Sequence, residues 1–326
     1  MTTLTLNELA SDVREFLKFK RAMGYSYVRQ EFMLASLMHF ARNQQSARSA
    51  SRATISLKET AHAWLSRTEN RKGNTVAFEL SVVRQLCLHR RRRDPRGFVP
   101  EQAWAPRTEL PFLPYIFSRQ DVRRLLRAAS RFRRRNFGPI LMRALLLVLY
   151  CTGLRFGEAV RLRLSDVDLE RRVFFIRESK GRSRLVAFGD DLAGEIKTWL
   201  AERDRIVSMR GIPDPEALFL RRGGRVLTIG TANVAVNALV RGEGLKPPQG
   251  RVGPRPYDWR HAFAVHRLTD WYYKKVDIHA RLPWLSAYMG HLNVLGTEVY
   301  LHATPELLRL ASQRFAGRLQ SARRIQ

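Results

Sequence analysis

The chain has 326 residues, 45% of them hydrophobic, which is enough for two domains with real cores and too apolar for a disordered chain. Its 58 Lys and Arg residues against 29 Asp and Glu leave a net charge of +29, so the expected partner is a polyanion whose phosphates these side chains neutralise. No run of about 18 apolar residues is present, so no membrane-spanning helix is expected. The opening MTTLTLNELASDVREF is interrupted by acids and has no apolar signal region. Cys87 and Cys151 form no CxxC pair, which argues against a disulfide framework or a zinc site and fits a reducing, cytoplasmic setting.

Residues 1–93 carry helical periodicity. Leu6, Leu9, Val13, Phe16 and Leu17 fall on one face, and Gly24 is expected to end that helix. Phe32, Leu34, Leu37 and Phe40 continue the pattern, as do Val76, Phe78, Leu80, Val83 and Leu86, giving a small helical bundle. It closes on the basic run His89, Arg90, Arg91, Arg92, Arg93. Pro95, Pro100, Pro106, Pro111 and Pro114 then forbid a helix and favour an extended tether. The expected division is a helical domain over residues 1–110, with its proline-rich linker from about 94, and a second domain over 111–326. Ser118 with Asp121 three residues on reads as the cap of the second domain's first helix. Residues 138–151 form an apolar helix. Two β-prone runs, 172–178 and 184–189, flank Lys180-Gly181 as a hairpin. Helices return from Thr231, and residues 305–326 place Leu308, Ala311, Phe315 and Leu319 on one stripe. The fold class is therefore mainly α with a small β-sheet.

Four segments carry chemistry. TGLRFGE puts Arg155 at the start of a helix, where its guanidinium can hold two phosphate oxygens and Glu158 one turn later can hold the guanidinium. A plain helix–helix salt bridge is the other reading. Lys180 at a hairpin tip can reach into a groove and protonate a leaving oxygen, or can be an ordinary solvated turn lysine. In PYDWRHAFA, Pro256 starts a helix that sets Tyr257 one turn before Arg260, on the same face, with His261 next to it in a packing or supporting role. In MGHLNVLGTEVYLH, Gly290 ends a helix before His291, and Tyr300 follows on a short helix. A tyrosine hydroxyl can attack a phosphate. A buried aromatic near a histidine is also ordinary core, so the weight lies in the combination.

Arginine, lysine, YxxR, GH and tyrosine in this order, with TG before the first arginine and RHxFA after the second, resemble the tyrosine recombinases of the phage integrase family over roughly residues 116–303. The resemblance implies a two-domain, C-shaped clamp on double-stranded DNA, made of a helical DNA-binding domain and a catalytic domain. It implies Tyr300 as nucleophile, Lys180 as general acid, and Arg155, Arg260 and His291 around the scissile phosphate, with no metal or other cofactor. Glu158 and His261 support the set, and Arg90, Arg91, Arg92, Arg93 and Arg184 are expected at the DNA. Where the family usually has histidine this chain has Tyr257; a phenol holds its proton at neutral pH and so suits hydrogen-bond donation better than base catalysis. The resemblance further implies a homo-oligomer, four copies on two DNA sites, sister recombinases as further partners, and no membrane. The bacterial cytoplasm, at the nucleoid, is the expected location. An impaired architectural DNA-binding relative and a relaxing topoisomerase of the related single-strand-cutting type are the alternatives.

Overall fold

Apolar residues at three- and four-residue spacing make both halves of the chain predominantly helical. The computed structural model describes residues 3–47, 54–68, 71–106, 114–134, 136–179, 182–250, 252–302 and 304–323. Two compact units result, Met1–Phe112 and Leu113–Gln326.

The first unit holds α1 (Leu6–Ala22), α2 (Val28–Ala47), α3 (Leu57–Leu65) and α4 (Gly73–Arg90). Thr5 and Glu8 form a reciprocal capping box at the start of α1, with Thr5 N donating to Glu8 Oε2 at 2.6 Å and Glu8 N to Thr5 Oγ1 at 3.2 Å. Leu9, Val13, Phe16 and Leu17 meet Leu34, Leu37, Trp64, Leu80, Val83 and Leu86 in one core. Phe32 departs from the expectation and is 73% exposed. At 100° per residue it lies nearly opposite Leu34, so one of the two had to face solvent. Buried Glu79 on α4 is held by Arg67 at 2.9 Å and Arg71 at 2.5 Å, the pairing a buried carboxylate requires. The short strands β1 (Thr3–Leu4) and β2 (Ile55–Ser56) pair antiparallel beside this all-helical core; two residues each are too few for an alternating pattern to mark them.

In the second unit, α5 (Arg119–Ala129) begins with a capping box of Ser118 and Asp121. The next helix, α6 (Pro139–Thr152), is apolar nearly all round and lies inside the core, burying Leu141, Leu145, Val148 and Leu149. After the short α7 (Phe156–Val160) comes an antiparallel meander of β3 (Val167–Asp168), β4 (Val173–Ser179) and β5 (Arg182–Ala187). Its register pairs Phe174 with Val186 and Ile176 with Arg184. The expected hairpin turn, with Lys180 and Gly181, lies outside the described residues. The helices α8 (Asp190–Arg210), α9 (Ile229–Gly242), α10 (Asp258–Tyr273), α11 (Ile278–Met289), α12 (Leu295–Glu298) and α13 (Pro305–Arg323) complete the unit. Trp259, at the start of α10, stacks on Phe117 with ring centroids 4.9 Å apart and sets that helix into the core.

The last helix packs on its own chain: Leu307 is fully buried, Tyr273 Oη donates to Glu306 Oε1 at 2.7 Å, and Arg314 Nη1 donates to the Val276 carbonyl at 2.9 Å. Leu308 and Phe315, on the stripe marked in the sequence, are exposed and take no part in this contact. The inward position is one residue earlier, a shift that turns the helix by about 100°. The side chain of Leu319 lies outside those described. No helix among the described residues is long and apolar enough to cross a membrane.

Candidate active site

Gly153 closes α6 at φ +59°, and a Cβ there would lie 2.2 Å from the Phe263 ring. The turn it makes delivers Arg155 to the N-cap of α7. Arg155 is gripped from two sides: Nη1 donates to Glu158 Oε1 at 2.6 Å and Nη2 to the Gly290 carbonyl at 2.7 Å. Glu158 also accepts the Arg155 backbone N–H at 2.9 Å. Arg260, 1% exposed on α10, donates Nη1 to the Gly153 carbonyl and Nη2 to the Met289 carbonyl, both at 2.7 Å. Its Nε is buried with no partner among the described residues. Burial draws this guanidinium below its ordinary pKa, against the pull of the neighbouring Tyr300 and Tyr257 hydroxyls.

Gly290 ends α11 at φ +69° and turns the chain into His291, whose Nδ1 lies 2.6 Å from Thr297 Oγ1. Tyr300 sits on the 3-10 turn Val299–His302 and is only 3% exposed. Its ring lies 5.4 Å from that of His261 and 6.3 Å from that of His291, nearly parallel to the latter. Tyr257 closes on the far face of this cluster, 5.1 Å from His261 edge to face. Burial raises the pKa of the Tyr300 phenol, and the Arg260 charge pulls it partly back. Burial lowers His261, so its imidazole is neutral at neutral pH. The His261 Nε2 lies 3.9 Å from buried Asp258. Tyr257 is 41% exposed and opens on a cleft of about 570 Å³ shared with Arg155, Arg161, Arg163 and Arg177.

The structure therefore draws together Arg155, Glu158, Tyr257, Arg260, His261, His291 and Tyr300, which are spread over nearly 150 residues of sequence. Lys180 lies outside the described residues. Arg184 does not face outward as expected of a DNA contact: it is 12% exposed and points to Glu158, with Nη2 donating to Oε2 at 2.8 Å. Its strand position explains this, because Arg184 shares the inward face of β5 with fully buried Val186. The basic run is in the first unit. Arg90 pairs with Asp12 at 3.1 Å, and Arg91 Nε donates to the Gly97 carbonyl at 2.8 Å. Arg92 lies 4.6 Å over the Phe19 ring, and Arg93 pairs with Glu15. Only part of this run is thus available to a ligand.

Sequence reasoning missed three features. One is Thr297, buried against His291; a lone threonine beside Glu298 carries no signal that would have marked it. Another is the set of carbonyls of Gly153, Met289 and Gly290 that orient the arginines, and a backbone acceptor leaves no mark in a sequence. The third is the trio Arg161, Arg163 and Arg177 at the cleft. Among the described residues no group of three or more His, Cys, Asp or Glu is arranged to hold a metal ion. The site offers instead guanidinium and imidazole groups fitted to an anion and a buried phenol beside them.

Comparison with known proteins agrees. The profile of the phage integrase family matches residues 116–306. A Sinorhizobium fredii protein, y4rB, assigned as an integrase/recombinase, is 32% identical over 311 residues, 94% of this chain and 96% of the relative. The tyrosine recombinase XerA of Thermococcus kodakarensis is 32% identical over 204 residues, 62% of this chain and 63% of the relative. Among solved structures, the Tn1549 transposon integrase in complex with transposon right-end DNA superposes with a TM-score of 0.65 at 16% identity, over 96% of this chain and 100% of that one. The XerH recombinase bound to its difH substrate gives 0.64 at 15%, over 93% and 95%. At such identities these two show a shared fold. The family profile and the near full-length y4rB relative decide the assignment: the chain belongs to the phage integrase family, as a tyrosine recombinase.

Proposed function

We propose that this chain cuts and rejoins double-stranded DNA at specific sites through a covalent link between Tyr300 and a DNA 3′-phosphate, in the service of a mobile element. The observation that carries this reading is the convergence on one buried phenol of two arginines with fixed guanidinium planes, a histidine held by Thr297, and a second tyrosine. In the proposed step Tyr300 releases its phenol proton to solvent water, its Oη attacks the scissile phosphorus, the new P–O bond forms, the P–O5′ bond breaks, and the 5′-oxygen leaves with a proton from Lys180. The energy of the phosphodiester is kept in the phosphotyrosyl bond, so no ATP is consumed. Arg155, Arg260 and His291 stabilise the added negative charge of the five-coordinate phosphorus, where preorganised donors count most. Tyr257 donates its hydroxyl to a phosphate oxygen from the cleft side. Because Tyr300 is almost completely buried, attack requires the turn that carries it to shift as DNA binds.

Recombinase relatives and structural neighbours solved with DNA support a DNA partner for this chain. The transposon origin of one neighbour favours a mobile-element role. Exchange between two sites calls for several copies, and four on two duplexes is the proposed assembly. The test uses the duplex sequence that the full-length protein selects from a randomised DNA pool, nicked near the cleavage point so that the cut fragment diffuses away. Wild-type protein becomes trapped as an adduct that survives denaturing electrophoresis. Tyr300→Phe binds this duplex with wild-type affinity and yields no adduct; equal trapping of both proteins removes Tyr300 from the mechanism.

A further inference from the structure

The C-terminal end of α11 is held by three arginines in succession. The Tyr288 carbonyl accepts from Arg184 Nε at 2.9 Å, the Met289 carbonyl from Arg260 Nη2 at 2.7 Å and the Gly290 carbonyl from Arg155 Nη2 at 2.7 Å. A helix ends on carbonyls that have no donor within the helix and carry partial negative charge. Here the glycine turn satisfies two of them, with Gly290 N donating to the Ala287 carbonyl at 2.9 Å and His291 N to Ser286 at 3.0 Å. The next three are left to the arginines. The segment fixed in this way is the one from which His291 emerges.

Two of these arginines belong to the proposed phosphate site. The third, Arg184, has a separate role that its contacts define. Besides Tyr288 it touches Glu158 twice, Nη2 to Oε2 at 2.8 Å and Nη1 to Oε1 at 3.3 Å. Glu158 is the carboxylate that also receives Arg155 through both its side chain and its backbone N–H. One buried carboxylate therefore serves two guanidiniums. A simple Arg155–Glu158 pair would cancel in charge and present a neutral group to an incoming phosphate. With Arg184 as the second partner the trio keeps one net positive charge, and both carboxylate oxygens are shared between the two arginines.

We propose that Arg184 is a positioning residue: it locks Glu158, and through Glu158 the plane and the net charge of Arg155, while its bond to Tyr288 pins the turn that presents His291. It does this without touching DNA. The inference rests on the reading above, in which Arg155 and His291 hold the scissile phosphate.

The test compares full-length wild-type, Arg184→Met, Arg184→Lys, Glu158→Gln and Arg184→Met/Glu158→Gln proteins on the selected nicked duplex. Arg184→Met binds with the wild-type affinity and the wild-type dependence on salt, but forms the Tyr300 adduct about 10²-fold more slowly, the scale of loss when a reacting group is displaced by about an ångström. Arg184→Lys keeps the charge without the fork and is also slowed, by at least about tenfold on the same scale; it carries the comparison if Arg184→Met does not fold. Because the two residues act through one carboxylate, the double variant is no slower than the slower single variant. Three results overturn the proposal: adduct formation at the wild-type rate, losses that multiply in the double variant, or a salt slope reduced by about one, which marks a direct phosphate contact. If Tyr300→Phe is itself trapped on DNA, the proposed function fails first, and that outcome is distinguishable because it appears in protein with Arg184 intact.

Discussion

Tyr257 and Tyr300 share one cluster but stand in opposite environments. Tyr300 is enclosed, and burial holds its phenol above the ordinary tyrosine range. Tyr257 opens on the cleft beside Arg155 while its ring rests on His261. Replacing Tyr257 by Phe keeps that ring contact and deletes only the hydroxyl. We expect Tyr257→Phe to bind DNA normally and to cleave more slowly by about 10²–10³, as when one donor is removed from a preorganised anion site. Tyr257→His is expected to retain activity, because an imidazole can also donate. Single-turnover adduct formation measures both, and a wild-type rate for Tyr257→Phe would reduce Tyr257 to a packing residue.

The helix α10 carries two half-buried histidines, His261 and His266, with folded pKa values below the usual range because burial penalises the imidazolium. His266 Nδ1 lies 2.9 Å from the Tyr150 hydroxyl, a contact the neutral ring makes well. A depressed folded pKa gives stability that is complete above the unfolded value of about 6.5 and is lost as pH falls through the folded value. The melting temperature should therefore drop between about pH 7.5 and pH 5, and drop less in His266→Gln; parallel slopes for the two proteins would show that His266 is not a source of the loss. Glycine ends give a second prediction at this scale. Gly153→Ala forces a left-handed residue, at a cost of about 1–2 kcal/mol, and also displaces the Phe263 ring on α10. Gly290→Ala meets the end of the Arg184 side chain at 2.7 Å. The first should lower the melting temperature clearly, while the second should slow adduct formation beyond its effect on stability; the two readouts taken together separate packing from positioning.

Over the whole molecule the excess of 29 positive charges dominates association. Affinity for duplex DNA should fall by orders of magnitude between about 50 and 200 mM salt, the signature of several neutralised phosphates. Fluorescence anisotropy across that range tests this, and a flat profile would contradict a phosphate-dominated interface.

The residues proposed to carry the chemistry were legible in the chain because they lie in short local motifs. Gly153 and Gly290 mark helix ends, Arg155 and Glu158 stand one turn apart, and Tyr257 and Arg260 fall on one helical face. The Ser118–Asp121 cap was equally local and appeared where expected, whereas helix periodicity marked the helices but not every buried face, as exposed Phe32 and Phe315 show. Long-range packing decided the rest. The run Arg184-Leu185-Val186 is apolar on both parities, so only the fold could choose which parity faces the core; it buries Val186, exposes Leu185 and thereby turns Arg184 toward Glu158. Leu307 rather than Leu308 anchors the last helix for the same reason, since adjacent leucines offer two faces and α10 accepts one. The burial of Tyr300 and the carbonyl acceptors of Arg155 and Arg260 come from segments more than a hundred residues apart in the chain for Arg155–Gly290 and Arg260–Gly153. Every residue has the same carbonyl, so the sequence by itself determined which side chains could meet a phosphate, and only the tertiary structure decided what holds them in place.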